Sequence, residues 1–354
     1  MKAYLILENG MVFCGEQFGA VKEEIGELVF TTGMGGYIET LTDPSYYGQI
    51  VVQTFPLIGN YGMIDEDMES KASCIKGYIV RENCGVPSNF RCNGTVDEFL
   101  KKHDIMGISG IDTRRVTAVI REAGVMNAKI TTKLDEALDE VKKFVIKDAV
   151  KSVSTNETRT VNKGGKVRIA LLDFGAKENI VRELAKRGGE VSVLPYNTPL
   201  EEILKYDALM LSNGPGDPSE NTEIISLLSN ALGKLPIFGI CLGHQLLALS
   251  CGAKTTKLKY GHRGVNQPVK NLETGRVYIS SQNHGYAVMS DTLPSYAKES
   301  YINVNDGTCE GIDYPDKHAF SVQFHPEACS GPKDTSFLFD KFFDMIGGFY
   351  NAQR

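Results

Sequence analysis

The chain has 354 residues, of which 42% are apolar and 23% charged, a composition typical of a globular protein with a full hydrophobic core. A formal net charge of −6 argues against nucleic acid or an anionic membrane as a partner, because both require a basic surface. The apolar segments are too short for a membrane span or a signal peptide, so we expect a cytoplasmic protein.

The first half of the chain predicts a mixed β/α domain. Short apolar runs between glycine-rich turns predict strands at 4–7, 28–32, 49–54 and 77–80. Apolar residues at helical spacing predict helices at 96–102 and 112–123.

A change of character near residue 150 predicts a domain boundary. The stretch 151–166 is polar, has no apolar period and contains Gly164-Gly165, which is typical of a linker. We therefore predict an N-terminal domain over 1–150, a linker over 151–166 and a second domain over 167–354.

The second domain alternates between strands and helices. The apolar runs predict strands at 167–172, 191–194, 208–211, 236–240 and 320–324. Helical patterns lie between them at 177–187, 223–232 and 243–250. This order predicts an α/β fold with a mostly parallel sheet flanked by helices. Functional residues in such folds lie at the carboxyl ends of the strands, so the turns that follow the strands are the places to look for a site.

Cysteine usage gives little sign of a metal site. The eight cysteines stand at positions 14, 74, 84, 92, 241, 251, 309 and 329. They include no C-x-x-C pair, so a zinc ribbon or a thioredoxin-like motif is not expected. We expect no metal on this chain. In a reducing compartment most of them are expected to be small buried hydrophobic residues.

Cys241 differs from the other cysteines in its local sequence. A strand pattern ends in Gly239-Ile240-Cys241-Leu242-Gly243 and a helical pattern follows, which is the G-x-C-x-G form of a nucleophile elbow. The glycines leave room for a sharp strand-to-helix turn, and a thiol at a helix N-terminus is favoured as the thiolate. The backbone N–H of Leu242 is then a candidate oxyanion donor. The competing interpretation is a buried cysteine in a glycine-flanked turn.

His325 and Glu327 follow another strand pattern, at 320–324. Side chains two apart on an extended chain point to the same side, and Pro326 keeps His325 out of the helical conformation. Glu327 could therefore orient the His325 imidazole as the third member of a triad. The residues alone leave open a surface histidine and glutamate at the end of a strand.

Two further turns carry polar residues. The loop Ser212-Asn213-Gly214-Pro215-Gly216-Asp217-Pro218 follows a strand and lacks the third glycine of a dinucleotide loop, so it suits an oxyanion hole better. The stretch 280–286, SSQNHGY, is expected to be a turn after a β run. No P-loop motif is present, so we expect no ATP site on this chain.

Together these motifs resemble the class I glutamine amidotransferases. The elbow at 239–245, the loop at 213–218 and His325-Pro326-Glu327 occur in that family's order and spacing. More motifs resemble the small-chain family of carbamoyl-phosphate synthases, and they lie at 32–37 (TGMGGY), 41–46 (LTDPSY), 56–62 (PLIGNYG), 110–114 (GIDTR) and 173–177 (DFGAK). The resemblance covers nearly the whole chain.

The resemblance implies a site. By matched position, Cys241, His325 and Glu327 would form the catalytic triad. The resemblance also implies a glutamine pocket built from both domains, with contacts from Ser45, Gly214, Gly216, Leu242, Gln245, Asn283, Gly285 and Tyr286. Tyr286 stands where phenylalanine is common in the family, a change that main-chain contacts would tolerate.

The resemblance implies a function and a partner as well. This chain would hydrolyse L-glutamine and pass the ammonia to a large synthase chain in a heterodimer, or in a higher oligomer of heterodimers. The large chain would bind ATP and Mg²⁺ and make carbamoyl phosphate from bicarbonate, for pyrimidine or arginine biosynthesis or both. The N-terminal domain would contribute to the contact with that chain, and no cofactor is expected on the chain itself.

Two other functions are compatible with parts of the sequence. A hydrolase working alone, such as a peptidase or γ-glutamyl hydrolase, could use the same triad, but such enzymes lack the N-terminal domain. A non-catalytic subunit on the same scaffold would be expected to have lost its nucleophile or base, whereas Cys241, His325 and Glu327 are all present.

Overall fold

The computed structural model describes residues 1–134, 138–328 and 330–352, so Cys329 lies outside the described residues. The chain divides into two compact units. The first comprises Met1–Ala149 with Lys259–Gly264, and the second comprises Val150–Leu258 with Val265–Arg354. Within the described ranges, no helix combines the length and the apolar character needed to cross a membrane.

The first unit is built around a closed sheet of seven strands in the order β1-β2-β8-β6-β4-β3-β9. Its strands, with a separate two-stranded pair β5-β7, are β1 (Lys2–Leu7), β2 (Val12–Gly19), β3 (Glu24–Thr31), β4 (Gln49–Gln53), β5 (Leu57–Ile58), β6 (Gly77–Ile79), β7 (Glu82–Asn83), β8 (Met106–Ser109) and β9 (Met126–Thr131). Its helices are α1 (Tyr37–Thr42), α2 (Val96–Lys102), α3 (Thr113–Ala123) and α4 (Leu138–Lys143).

Strand β4 shows why the strands of the first unit appear in the sequence as short apolar runs. All five of its residues are buried. Ile50 and Val52 belong to a core that includes Val116 of α3, whereas Val51 belongs to a second core that includes Leu100 of α2. Both faces of the strand are therefore covered, so the sequence lacks the alternation of a half-exposed strand. The predicted strands and helices of this half are confirmed within a few residues.

The second unit contains a ten-stranded sheet in the order β10-β12-β11-β13-β14-β19-β18-β17-β15-β16. Its strands are β10 (Arg159–Val161), β11 (Val167–Asp173), β12 (Gly189–Pro195), β13 (Ala208–Leu211), β14 (Ile237–Ile240), β15 (Thr255–Asn271), β16 (Val277–Val288), β17 (Lys298–Asn303), β18 (Cys309–Tyr314) and β19 (Ala319–Val322). Its helices are α5 (Ala149–Val153, which begins at the unit boundary), α6 (Glu178–Lys186), α7 (Leu200–Ile203), α8 (Thr222–Ala231), α9 (Leu242–Ser250) and α10 (Phe337–Asn351).

The five strands β12, β11, β13, β14 and β19 run parallel. Alternate residues of β11 face opposite cores: Leu172 lies in a core with Leu246 of α9, and Leu171 in a core with Leu184 of α6 and Phe339 of α10. Helices therefore cover both faces, and the predicted α/β fold is confirmed. Antiparallel pairing continues the sheet through β18 and β17 to β15.

Two stretches differ from the simplest interpretation of the sequence. The segment 151–166 contains the end of α5 and the strand β10, which pairs with β12. The prediction of a turn at 280–286 is wrong, because these residues lie within β16. Ser280, Gln282 and His284 are buried in that strand and not solvated, so their polarity gave a misleading signal of a loop.

The turn between β14 and α9 positions Cys241. Its backbone has φ 53° and ψ −104°, a left-handed conformation that is uncommon for a residue with a side chain. The flanking glycines are required by close packing. A Cβ at Gly239 would lie 2.9 Å from the backbone of Gly243, and one at Gly243 would lie 2.5 Å from the carbonyl oxygen of Leu211. The elbow predicted from the G-x-C-x-G pattern is thus present in the backbone.

This packing predicts the effect of adding one methyl group. Gly243→Ala should lower the free energy of unfolding by roughly 1–3 kcal/mol, because the new Cβ meets backbone that cannot move away easily. Gly347→Ala is the matched control: Gly347 lies inside α10, and a Cβ there would have no neighbour within 4 Å. That change should raise the free energy of unfolding by about 0.5–1 kcal/mol. Chemical denaturation of both variants provides the measurement, and an unaffected Gly243→Ala would refute the tight-elbow interpretation.

Candidate active site

Cys241 lies at the junction of β14 and α9 and is 2% exposed. Its Sγ is 3.7 Å from the carbonyl oxygen of Asn283. Because α9 begins at Leu242, the thiol sits at the positive end of the helix, where the first N–H groups have no partner inside the helix. The Leu242 N–H is therefore available to a negative charge that develops beside the sulfur.

His325 and Glu327 form a buried pair just beyond β19. The His325 N–H donates to the carbonyl oxygen of Ser281, which fixes the backbone. His325 Nδ1 lies 2.7 Å from Glu327 Oε1, and both side chains are at most 1% exposed. A carboxylate accepts only, so Nδ1 carries the proton and Nε2 is the nitrogen left for the thiol. The two side chains thus lie within hydrogen-bonding distance of each other.

Lys177 is a third charged group at this pair, and the sequence analysis gave it no role. Its Nζ lies 3.5 Å from Glu327 Oε1 and 3.3 Å from His325 Nδ1, and its side chain is 10% exposed. Two donors cannot hydrogen-bond to each other, so we interpret Lys177 as an ion-pair partner of Glu327 that approaches the imidazole as a neighbouring charge. The only available signal was its place in the 173–177 motif, DFGAK.

The charges of this cluster act in opposite directions on the imidazole. Burial lowers the pKa of His325 and so does Lys177, but the Glu327 carboxylate and Cys241 outweigh them and raise it above its ordinary value. Burial would raise the pKa of Glu327, whereas His325 and Lys177 hold it below its usual range. The pair is therefore set up as a carboxylate and an imidazolium next to a thiol.

Three other cysteines have thiols whose pKa is shifted by burial. Burial raises the pKa of the Cys251 thiol, and it raises that of Cys309 much further. It raises the pKa of Cys74 to about 11. These thiols stay protonated at neutral pH and are poor nucleophiles.

The loop after β13 packs against the elbow. A Cβ at Gly214 would lie 2.2 Å from the carbonyl oxygen of Phe174 and 2.8 Å from the side chain of Leu242, so only glycine fits there. Gly216 has φ 91°, a conformation that favours glycine. Asn213 braces the loop: its Oδ1 accepts from the Lys177 N–H at 3.0 Å. The structure thus brings Gly214 and Leu242 together at the Cys241 turn.

Helix α9 and strand β16 supply the remaining candidate residues of the second unit. Gln245 Nε2 donates to the carbonyl oxygen of Tyr286 at 2.8 Å, and the carbonyl of Asn283 faces the Cys241 thiol. Gly285 lies between Asn283 and Tyr286 in the strand. All the candidate site residues of the second unit therefore lie on the elbow, on β16 or on the loops after β13 and β19.

Ser45 belongs to the first unit. It lies in the short 3₁₀ helix Pro44–Tyr46 and is buried, and its N–H donates to Asp43 Oδ1 at 2.9 Å. This bond caps the turn and fixes the backbone that carries the hydroxyl.

Comparison with known proteins gives a family match for each unit. A family model for class-I glutamine amidotransferases matches residues 170–345, which include Cys241 and His325. A second family model, for the carbamoyl-phosphate synthase small chain, CPSase domain, matches residues 5–130. The class that the second unit defines is therefore a glutamine amidotransferase domain.

Relatives cover both units. The carbamoyl phosphate synthase small chain of Clostridium perfringens is 52% identical over 347 residues, which is 97% of this chain and 99% of that protein. The small chain of Bacillus caldolyticus is 50% identical over 356 residues, covering 99% and 98%. The chain belongs to the carbamoyl phosphate synthase small chain family.

The opposing charges at His325 predict opposite shifts in two variants. Glu327→Gln removes the carboxylate that stabilises the imidazolium, so the pKa of His325 should fall. Lys177→Met removes a positive charge that disfavours the imidazolium, so the pKa should rise. Titration of isotope-labelled histidine by NMR measures both, with the His325 signal assigned from its loss in His325→Asn. Shifts of the same sign in the two variants would contradict the assigned charges.

Proposed function

We propose that this chain hydrolyses L-glutamine to glutamate and ammonia through a thioester on Cys241. The observation that carries the proposal is the buried His325–Glu327 pair, 2.7 Å between Nδ1 and Oε1, beside a cysteine held in a strained elbow at a helix N-terminus. A thiol, a base and an orienting carboxylate are the three groups that nucleophilic acyl transfer requires.

In the first half-reaction, Cys241 Sγ attacks the side-chain amide carbon of glutamine. His325 Nε2 holds the thiol proton as an imidazolium and then donates it to the departing nitrogen, so ammonia leaves and a glutamyl thioester remains. Glu327 does not touch the substrate. It holds the imidazole in the orientation that directs Nε2 to the sulfur, and it stabilises the imidazolium.

In the second half-reaction, His325 takes a proton from water, and the hydroxide attacks the thioester carbonyl. The carbon–sulfur bond breaks, glutamate leaves and the Cys241 thiolate is restored beside the imidazolium. Both half-reactions pass through a tetrahedral oxyanion. The backbone N–H groups of Gly214 and Leu242 are the proposed donors, because these two residues pack together at the elbow.

The remaining candidate residues would bind the substrate. Beyond Gly214 and Leu242, these are Ser45, Gly216, Gln245, Asn283, Gly285 and Tyr286. In this proposal the chain binds no cofactor or metal of its own.

The ammonia is proposed to pass to a large synthase chain. Relatives that span nearly the full length of this chain carry the name small chain, which supports a heteromer with a larger subunit. That partner would bind ATP and Mg²⁺ and make carbamoyl phosphate from bicarbonate, in the cytoplasm, for pyrimidine or arginine biosynthesis or both.

Replacement of Cys241 separates glutamine hydrolysis from the synthesis of carbamoyl phosphate. In the complex with its large chain, Cys241→Ser should abolish carbamoyl phosphate synthesis from glutamine, because a serine hydroxyl is a far weaker nucleophile here than a thiolate. Ammonium chloride at high concentration should still support synthesis at about the wild-type rate. The measurement is carbamoyl phosphate formed from bicarbonate and ATP with each nitrogen donor.

Cys251→Ser is the matched control for the loss of a thiol. Cys251 lies at the C-terminal end of α9, whereas Cys241 lies at its N-terminal end, so Cys251 should be dispensable for synthesis from either nitrogen donor. Synthesis from glutamine that survives Cys241→Ser would disprove the thioester route. Loss of ammonia-dependent synthesis in an intact Cys241→Ser complex would mean that Cys241 does more than hydrolyse glutamine.

A further inference from the structure

One face of the chain after β18 meets one face of helix α9. Ser321, Gln323 and His325 occupy alternate positions at the end of β19 and in the bend that follows it, and all three are buried. Cys241, His244 and Gln245 are spaced three and four residues apart and share a face of the elbow and its helix. The two sets pair in the structure.

Two of these pairs are buried hydrogen bonds that the proposed chemistry does not use. His244 Nδ1 lies 2.9 Å from Ser321 Oγ, and burial lowers the pKa of His244 to about 3, so its imidazole is neutral. Gln323 is 0% exposed, and its Oε1 accepts from Gln245 Nε2 at 2.9 Å.

The bonds of Gln245 determine which end of its amide is occupied. An amide nitrogen carries two hydrogens, and Gln245 Nε2 uses both, one on the Tyr286 carbonyl and one on Gln323 Oε1. A flipped amide would set its oxygen against two other acceptors, which is repulsive. The orientation of Gln245 is therefore fixed by its two neighbours.

The consequence concerns the other end of the amide. Among the described residues the Gln245 side chain makes only these two bonds, and its Oε1 is not one of the atoms buried without a partner. An oxygen that solvent reaches and that can only accept is suited to a ligand group that can only donate, such as an ammonium.

We propose that Gln323 is a positioning residue that holds the Gln245 amide with its oxygen toward the substrate, so that the site selects a free amino acid by its α-ammonium group. This rests on the proposed function, in which Gln245 contacts glutamine. Gln323 itself does not touch the substrate. Its loss should weaken binding of glutamine and leave the chemistry at Cys241 unchanged, because the thiol and the imidazole keep their own contacts.

The test is steady-state glutamine hydrolysis by the full chain carrying Gln323→Met, which conserves shape and removes the acceptor. The KM for glutamine should rise roughly five- to tenfold with kcat unchanged, as expected for loss of one buried hydrogen bond. Gln323→Glu keeps an acceptor oxygen and should restore much of the KM. Equal KM values in the Met and Glu variants would overturn the proposal.

Two further measurements distinguish positioning from general damage. In a Gln245→Met background, Gln323→Met should have no further effect on KM, because the residue it positions is gone. Glutaramate, which is glutamine without its α-ammonium group, should be hydrolysed equally by wild type and Gln323→Met, whereas glutamine should not. Equal losses for both substrates, or an undiminished effect in the Gln245→Met background, would contradict the inference.

These outcomes are separable from the proposed function itself. A wild-type chain that hydrolyses glutamine through Cys241 while Gln323→Met leaves the KM unaltered would overturn this inference alone. A wild-type chain that does not hydrolyse glutamine would overturn the proposed function, and the inference with it.

Discussion

The second unit is organised by the left-handed backbone of Cys241. A residue with a side chain adopts φ 53° only where its surroundings impose it, and the cost is of order 1–3 kcal/mol. Close packing at Gly239 and Gly243 allows the turn, and the parallel strands on either side of β14 hold it. The result is a thiol at the end of a central strand and at the start of a helix, which no relaxed turn would provide.

The charges around the thiol depend on that placement. His325 follows the strand next to β14, so the parallel pairing of β14 with β19 brings its imidazole toward the Cys241 thiol. Burial and Lys177 lower the pKa of that imidazole, whereas Glu327 and Cys241 together raise it above its ordinary value. The same strand-to-helix pairing brings Gln323 to Gln245, so the proposed catalytic and positioning contacts come from one pair of elements.

Much of this could be predicted from the sequence, because it is encoded locally. The G-x-C-x-G elbow and the alternation of His325 and Glu327 are patterns within a few residues. Most of strand β16 was missed because Ser280, Gln282 and His284 are polar although they are buried, so the stretch was interpreted as a turn. Lys177 and Gln323 were missed for a different reason: each acquires its role from contacts about 80 to 150 positions away, which no local pattern encodes.

The central claim is that Cys241 is the nucleophile for glutamine. The most direct test treats the protein with a diazo-ketone analogue of glutamine and maps the modified cysteine by mass spectrometry. The label is expected on Cys241 ahead of every other cysteine, and it should be prevented by glutamine and absent in Cys241→Ser. Equal labelling of Cys251 or Cys309, whose thiols are held protonated by burial, would contradict it.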